Sequence, residues 1–152
     1  MTERAAGSGT SRWDHWYQRA LPAYWIFLFC LTHFPRLEVD LGMRPSDKVA
    51  HVVAFALLAF LFWRFAEAIY RQLSDRFVWC AAAWLGAYAS LDEWLQQFVG
   101  RETDLVDWLC NLTGVAIVLA ALEYRRRRRE TRPRRADPGG RPPGSGSSAA
   151  LR

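Results

Sequence analysis

The stretch LDEWLQQFVGRETDLVDWLCNLTG, Leu91 to Gly114, decides how this chain is read. It sets Asp92, Glu93, Gln96, Arg101, Asp104, Asp107 and Asn111 between two strongly apolar runs. On a helix Asp92, Glu93 and Gln96 share a face, and the same spacing aligns Asp104, Asp107, Asn111 and Gly114. The pattern predicts two helices whose polar faces meet across a short loop carrying Arg101.

Working outward, four blocks lack Asp, Glu, Lys and Arg: Leu21 to Phe34, Val49 to Trp63, Phe77 to Leu91, and Trp108 to Leu122. A hydrocarbon core about 30 Å thick asks for roughly 20 helical residues, and each block supplies about 15. Extension through the polar flanks, from Asp47, to Gln97 and from Asp104, reaches the required length. A water-exposed bundle helix keeps one polar face, yet Val52 to Trp63 and Val115 to Leu122 are apolar all round. Trp13, Trp16, Tyr17, Trp63, Tyr70, Trp79, Trp94, Trp108 and Tyr124 gather near block ends, as an interfacial aromatic belt would. The expected fold is all-α, a four-span transmembrane helical bundle over residues 13–124. Disordered tails cover 1–12 and 125–152, the second rich in Arg, Pro and Gly. Ser46 is the expected N-cap of the second span, and Pro22 suits an early turn of the first. Small residues at Ala81 to Ala83, Gly86, Ala87, Ala89, Gly114 and Ala116 are expected where helices approach closely.

Basic residues orient the bundle. Arg4, Arg12 and Arg19 precede the first span, Arg64, Arg71 and Arg76 separate the second from the third, and Arg125 to Arg129 follow the fourth. The positive-inside rule makes those regions and both termini cytoplasmic, and puts the Leu91–Gly114 stretch at the outer side. The net charge of +5 comes from the C-terminal arginines, so the basic balance sets topology and no nucleic-acid partner is expected. Met1 to Ser11 lacks the apolar core of a secretory signal. There is no phosphate-binding glycine loop, nucleophile elbow or His-Glu-x-x-His motif. Cys30, Cys80 and Cys110 are odd in number and lie in spans, which points to free buried thiols.

The second span adds Asp47, Lys48 and His51 to the same end; Lys48 is the sole lysine among 20 basic residues. Asp47-Lys48-x-x-His51-x-x-x-Phe55, then Asp92-Glu93-x-x-Gln96, then Arg101, Asp107, Asn111 and Gly114, resembles the VanZ-like family of small bacterial membrane proteins. The resemblance runs from about Thr32 to Val118. Two departures stand out: Val99-Gly100 replaces the family's usual Pro-Gly pair with one residue fewer before the arginine, and Val118 replaces a second glycine. The resemblance implies a multi-pass protein of the bacterial plasma membrane and cell envelope, with a role in resistance to lipoglycopeptides such as teicoplanin. It also implies a site made of Asp47, Lys48, His51, Asp92, Glu93, Gln96, Arg101, Asp107 and Asn111.

Physics constrains that site. An ionised residue at a span centre costs about 2.5 to 3.5 kcal/mol even on the lenient scale, so these carboxylates must be interfacial, paired, or turned to a wet cavity. Lys48 is expected to pair with Asp92 or Glu93. Lys48, Arg101 and two helix N-termini would suit an anionic lipid or lipid-linked cell-wall intermediate. No cofactor is expected; a divalent cation is the one that His51 with Asp47, Glu93 and Asp107 could serve, without a tight metal-binding spacing. The competing readings are a membrane enzyme acting on a polyprenyl-phosphate substrate through a general acid or base, and a structural helper subunit whose polar cluster only specifies packing. His33 could join the cluster from the first span.

Overall fold

The computed structural model describes residues 12–33, 46–70, 72–99 and 104–131, with backbone alone for 12–14, 46 and 47. These residues form α1 (Arg12–His33), α2 (Ser46–Ile69), α3 (Phe77–Gln96), a short 3-10 turn (Gln97–Val99) and α4 (Leu105–Glu130), with no strand among them. Each helix carries one of the four apolar blocks, α1 as far as His33, so the helix count follows from periodicity and length.

Direction alternates along the chain, which brings the C-terminal ends of α1 and α3 together with the N-terminal ends of α2 and α4. The α2–α4 pair forms the most extensive interface; α1 packs on α2 and α3 on α4. Phe55, Leu58 and Ala59 of α2, Leu85 and Ala89 of α3, Val115 and Leu119 of α4, and Leu28 of α1 make the core. Tyr24 Oη donates to the Ala54 carbonyl at 2.9 Å, fastening α1 to α2. Tyr88 stands between Trp25 and Phe55, with centroid separations of 4.9 and 5.9 Å.

Gly114 sets the α2–α4 distance. A Cβ there would lie 2.2 Å from the Val52 carbonyl oxygen and 2.9 Å from the Ala56 nitrogen, so the two backbones touch. The other small residues behave differently: Ala81 and Ala89 are buried, whereas Ala83, Ala87 and Ala116 face outward and bring no helix close. At Gly86 an added Cβ would meet only Leu112 Cδ2 at an ordinary 3.7 Å.

Two helices are long and apolar enough to cross a membrane, Lys48–Ile69 and Leu105–Glu130, and only 39% and 22% of their most apolar windows are buried inside the protein. α1 falls short because its first two turns hold Asp14, His15, Gln18 and Arg19, and α3 because Asp92 and Glu93 lie within its last turns. Ile26, Phe27, Val53, Leu57, Trp84 and Ile117 are all exposed, so each of the four helices turns apolar side chains outward.

Several expectations shift. α4 continues as helix through the arginine run to Glu130, beyond the boundary expected at residue 125, because Glu123 and Glu130 pair with those arginines at helical spacing. Residues 132–152, and 1–11 at the other end, lie outside the described residues. Pro22 stands ten residues into α1 and not in its first turn, so the Gln18 carbonyl lacks its helical donor. Trp63 is no belt residue: it is 1% exposed, with Nε1 donating to Glu67 Oε1 at 2.9 Å. All three thiols are free as expected, but Cys30 and Cys80 are exposed on the outer face of the bundle. Ser46 is the first helical residue of α2, so the capping position before it lies outside the described residues.

Candidate functional site

The end of the bundle where α1 and α3 finish and α2 and α4 begin collects nearly all of its buried polar side chains: Thr32, His51, Asp92, Glu93, Gln96 and Asn111. The helical spacing read from Leu91 to Gly114 thus does converge on one place. Asp92 is 1% exposed and Asn111 wholly buried, and only hydrogen-bonded polar groups are normally tolerated at such depth.

On the α1–α3 side, Asp92 is ringed by donors. Thr32 Oγ1 reaches Asp92 Oδ1 at 3.0 Å, Gln96 Nε2 donates to Oδ2 at 3.3 Å, and Tyr88 Oη lies 3.5 Å from Oδ1. His33 Nδ1 is 3.8 Å from the same Oδ1. That nitrogen also lies 2.9 Å from both the Phe29 carbonyl oxygen and Thr32 Oγ1. The ring stacks on Phe29 at 4.1 Å, and its Nε2 is buried with no hydrogen-bond partner among the described residues.

On the α2–α4 side, Lys48 Nζ donates to Asp104 Oδ2 and Asp107 Oδ1, each at 3.0 Å. His51 bridges: Nδ1 lies 3.0 Å from Asn111 Oδ1 and Nε2 3.7 Å from Asp107 Oδ2. Asp104 caps α4, its Oδ1 accepting from the Val106 N–H at 2.8 Å, while its own N–H donates to Glu93 Oε1 at 2.7 Å and so ties α3 to α4. The Val106 N–H first, and Lys48 second, hold the Asp104 carboxyl below its ordinary range. Trp108 Nε1 donates to Ser90 Oγ at 3.0 Å just below.

Of the nine expected site residues, Lys48, His51, Asp92, Glu93, Gln96, Asp107 and Asn111 stand at this end; Arg101 and the side chain of Asp47 lie outside the described residues. The expected pairing of Lys48 with Asp92 or Glu93 is overturned. α2 lies along α4, so its first turn meets Asp104 and Asp107, whereas Asp92 is taken by α1. Thr32 and Tyr88 join the cluster without having been singled out for it. Spacing held one signal for Tyr88, which precedes Asp92 by four residues. Among the described residues no group of three or more His, Cys, Asp or Glu side chains is placed to hold a metal ion.

Among the described residues three atoms in the cluster are buried without a partner: His33 Nε2, the acceptor Glu93 Oε2 and the donor Asn111 Nδ2. They come from three helices. Comparison with curated proteins gives no match, and neither does comparison with solved structures. Residues 7–124, which carry all four apolar blocks and the whole polar cluster, match the family model described as VanZ/LLP1, and the chain therefore belongs to the VanZ-like family.

Proposed function

We propose that this membrane protein crosses the bilayer four times with both termini cytoplasmic, and that its polar end holds the headgroup of a lipid-linked cell-wall intermediate at the outer surface. The exposed apolar exterior of all four helices supports the four spans, since α1 and α3 present Ile26, Phe27 and Trp84 to their surroundings much as α2 and α4 present Val53 and Ile117. The asymmetry of arginine between the two ends supports the orientation.

The observation that carries the ligand reading is the trio of unpartnered atoms. An unsatisfied buried polar group costs about 1 to 3 kcal/mol, a cost that packing alone gives no reason to keep three times at one end. A ligand offering a hydroxyl, which can donate or accept, to His33 Nε2, a donor to Glu93 Oε2 and an acceptor to Asn111 Nδ2 would satisfy all three. That is the chemistry of a saccharide or peptide headgroup. The anionic component rests less on Lys48 than its sequence position implied, because Asp104 and Asp107 already neutralise it and Asp104 occupies the N-terminus of α4. Holding such a headgroup would alter the access of lipoglycopeptides to the envelope, which is how a resistance role would arise.

The test is retention of a radiolabelled polyprenyl-pyrophosphate saccharide by purified protein. Wild type should retain it stoichiometrically, and Glu93→Gln, which keeps an acceptor for the Asp104 N–H, should lose it at least tenfold while melting near the wild-type temperature. Wild-type retention by this variant would sink the reading. A second reading, hydrolysis of such a carrier, is favoured by one feature, the unpartnered imidazole nitrogen His33 Nε2, a group able to serve as a general acid or base. Turnover abolished by His33→Gln would establish it; retention without turnover would exclude it.

A further inference from the structure

The opposite end of the bundle carries a second feature. Five consecutive arginines, Arg125 to Arg129, project from the last turns of α4, but they are not equivalent. Arg126 donates to Glu123, Glu130, Asp75 and the Leu73 carbonyl, clamping the 72–76 connection against α4, and Arg127 pairs with Glu123. Arg125, Arg128 and Arg129 have no acidic partner among the described residues and are exposed. With Tyr124, whose ring lies 5.0 Å from Arg128 Cζ, and Thr131 they line an open groove of about 460 Å³.

Helical spacing connects this basic face to the apolar exterior. Ile117, Ala120, Ala121, Tyr124, Arg125 and Arg128 follow one another at intervals of three, one, three, one and three residues, and every one is exposed. A single stripe therefore runs from aliphatic through aromatic to guanidinium. It covers about 16 Å of helix, close to the ~15 Å depth of one leaflet of hydrocarbon. That is the order in which a phospholipid presents its acyl chain, its glycerol level and its phosphate. Planar guanidinium groups suit phosphate oxygens in two-point hydrogen bonding.

We infer that Arg125, Arg128 and Arg129, with Tyr124, form a binding face for the phosphate of an anionic phospholipid, separate from the polar cluster at the other end. Its partner is a bilayer lipid whose chains lie along Ile117 and Ala121. Arg126 takes no part, because its hydrogen bonds are already spent within the protein, and Arg127, though exposed, pairs with Glu123 and does not line the groove.

The experiment uses the full-length chain reconstituted with equal amounts of phosphatidylglycerol and phosphatidylcholine, and counts each lipid retained by native mass spectrometry. Wild type should retain phosphatidylglycerol at least tenfold over phosphatidylcholine, and should lose that preference when salt is raised from 50 to 500 mM. The triple variant Arg125→Gln, Arg128→Gln, Arg129→Gln should fall within twofold of equality, whereas Arg127→Gln should stay within twofold of wild type. Millimolar glycerophosphate should not displace the lipid; displacement would mean a free-phosphate site and would overturn the lipid assignment. The proposal is also overturned if the triple variant keeps its preference, if wild-type preference is insensitive to salt, or if Arg127→Gln loses as much as the triple variant.

Discussion

Gly114→Ala is the most informative single substitution this structure offers. The added Cβ would lie 2.2 Å from the Val52 carbonyl oxygen, about 1.2 Å inside the 3.4 Å at which ordinary contact begins. The obstructing atoms belong to the hydrogen-bonded backbone of α2 and cannot rotate away as a side chain tip would, so the two helices must part by about 1 Å. Asn111 sits one turn from Gly114 on the same face, and its 3.0 Å contact with His51 would stretch toward ~4 Å, beyond hydrogen-bonding range. Overpacking of this kind costs about 1–3 kcal/mol and the lost hydrogen bond about 1 kcal/mol, together roughly 2–4 kcal/mol. At about 2–4 °C per kcal/mol for a chain of this size, the melting temperature should fall by roughly 4–16 °C. Thermal unfolding in detergent, followed by tryptophan fluorescence, measures it, with Gly86→Ala as the control because its Cβ meets only a flexible Leu112 methyl at 3.7 Å. If Gly114→Ala melts within a degree of wild type, or no lower than Gly86→Ala, then backbone contact at Gly114 does not set the α2–α4 distance.

Lys48→Met combined with Asp107→Asn in a double-mutant cycle should give a coupling that is measurable but small, because Lys48 is half exposed, whereas Lys48→Met with Glu93→Gln should be additive. The reverse pattern in the melting data would restore the expectation from sequence. Arg126→Gln leaves Glu123, 11% exposed, without its main partner and frees Asp75 and the Leu73 carbonyl, so it should cost about 2 kcal/mol, less than a fully buried pair. Wild-type stability after Arg126→Gln would show that the clamp between α4 and the 72–76 connection is inert. Because the Asp104 carboxyl titrates below its unfolded value near 3.9, its contribution is complete above about pH 4 and disappears as pH falls through the folded value. Asp104→Asn should remove that part of the acid loss of stability; an identical acid limb in the variant, read by the same unfolding assay, argues against the cap.

How much of the site was legible depended on which element supplied each residue. Asp92, Glu93, Gln96, Asp107 and Asn111 stand out in the sequence because polar residues at helical spacing beside long apolar runs have no cheap position except one end of a bundle. Lys48 stood out as the sole lysine, but its partner did not. Pairing depends on which helices are neighbours, and the α2–α4 contact is set by Gly114 meeting Val52 and Ala56, an approach distance that spacing does not encode. Thr32 was illegible for another reason. A hydroxyl near the end of an apolar helix is ordinary, and only the placement of Asp92 against α1 makes Thr32 its donor, whereas Tyr88 lies within α3 four residues before Asp92.

Four apolar blocks separated by polar turns are sufficient to account for the four helices among the described residues, because a helix satisfies the backbone of such a block in apolar surroundings. The sequence by itself also determined which end is polar and which is rich in arginine, since both are properties of position along each helix. Tertiary structure alone decided that Lys48 belongs to Asp104 and Asp107, that Trp63 is core and not belt, and that Arg126 differs from its four neighbours. It decided as well that His33 Nε2, Glu93 Oε2 and Asn111 Nδ2 are buried without partners among the described residues. The physical reason is common to all four. Each depends on a distance between helices far apart in sequence, and local periodicity fixes the face a residue occupies but not what that face meets.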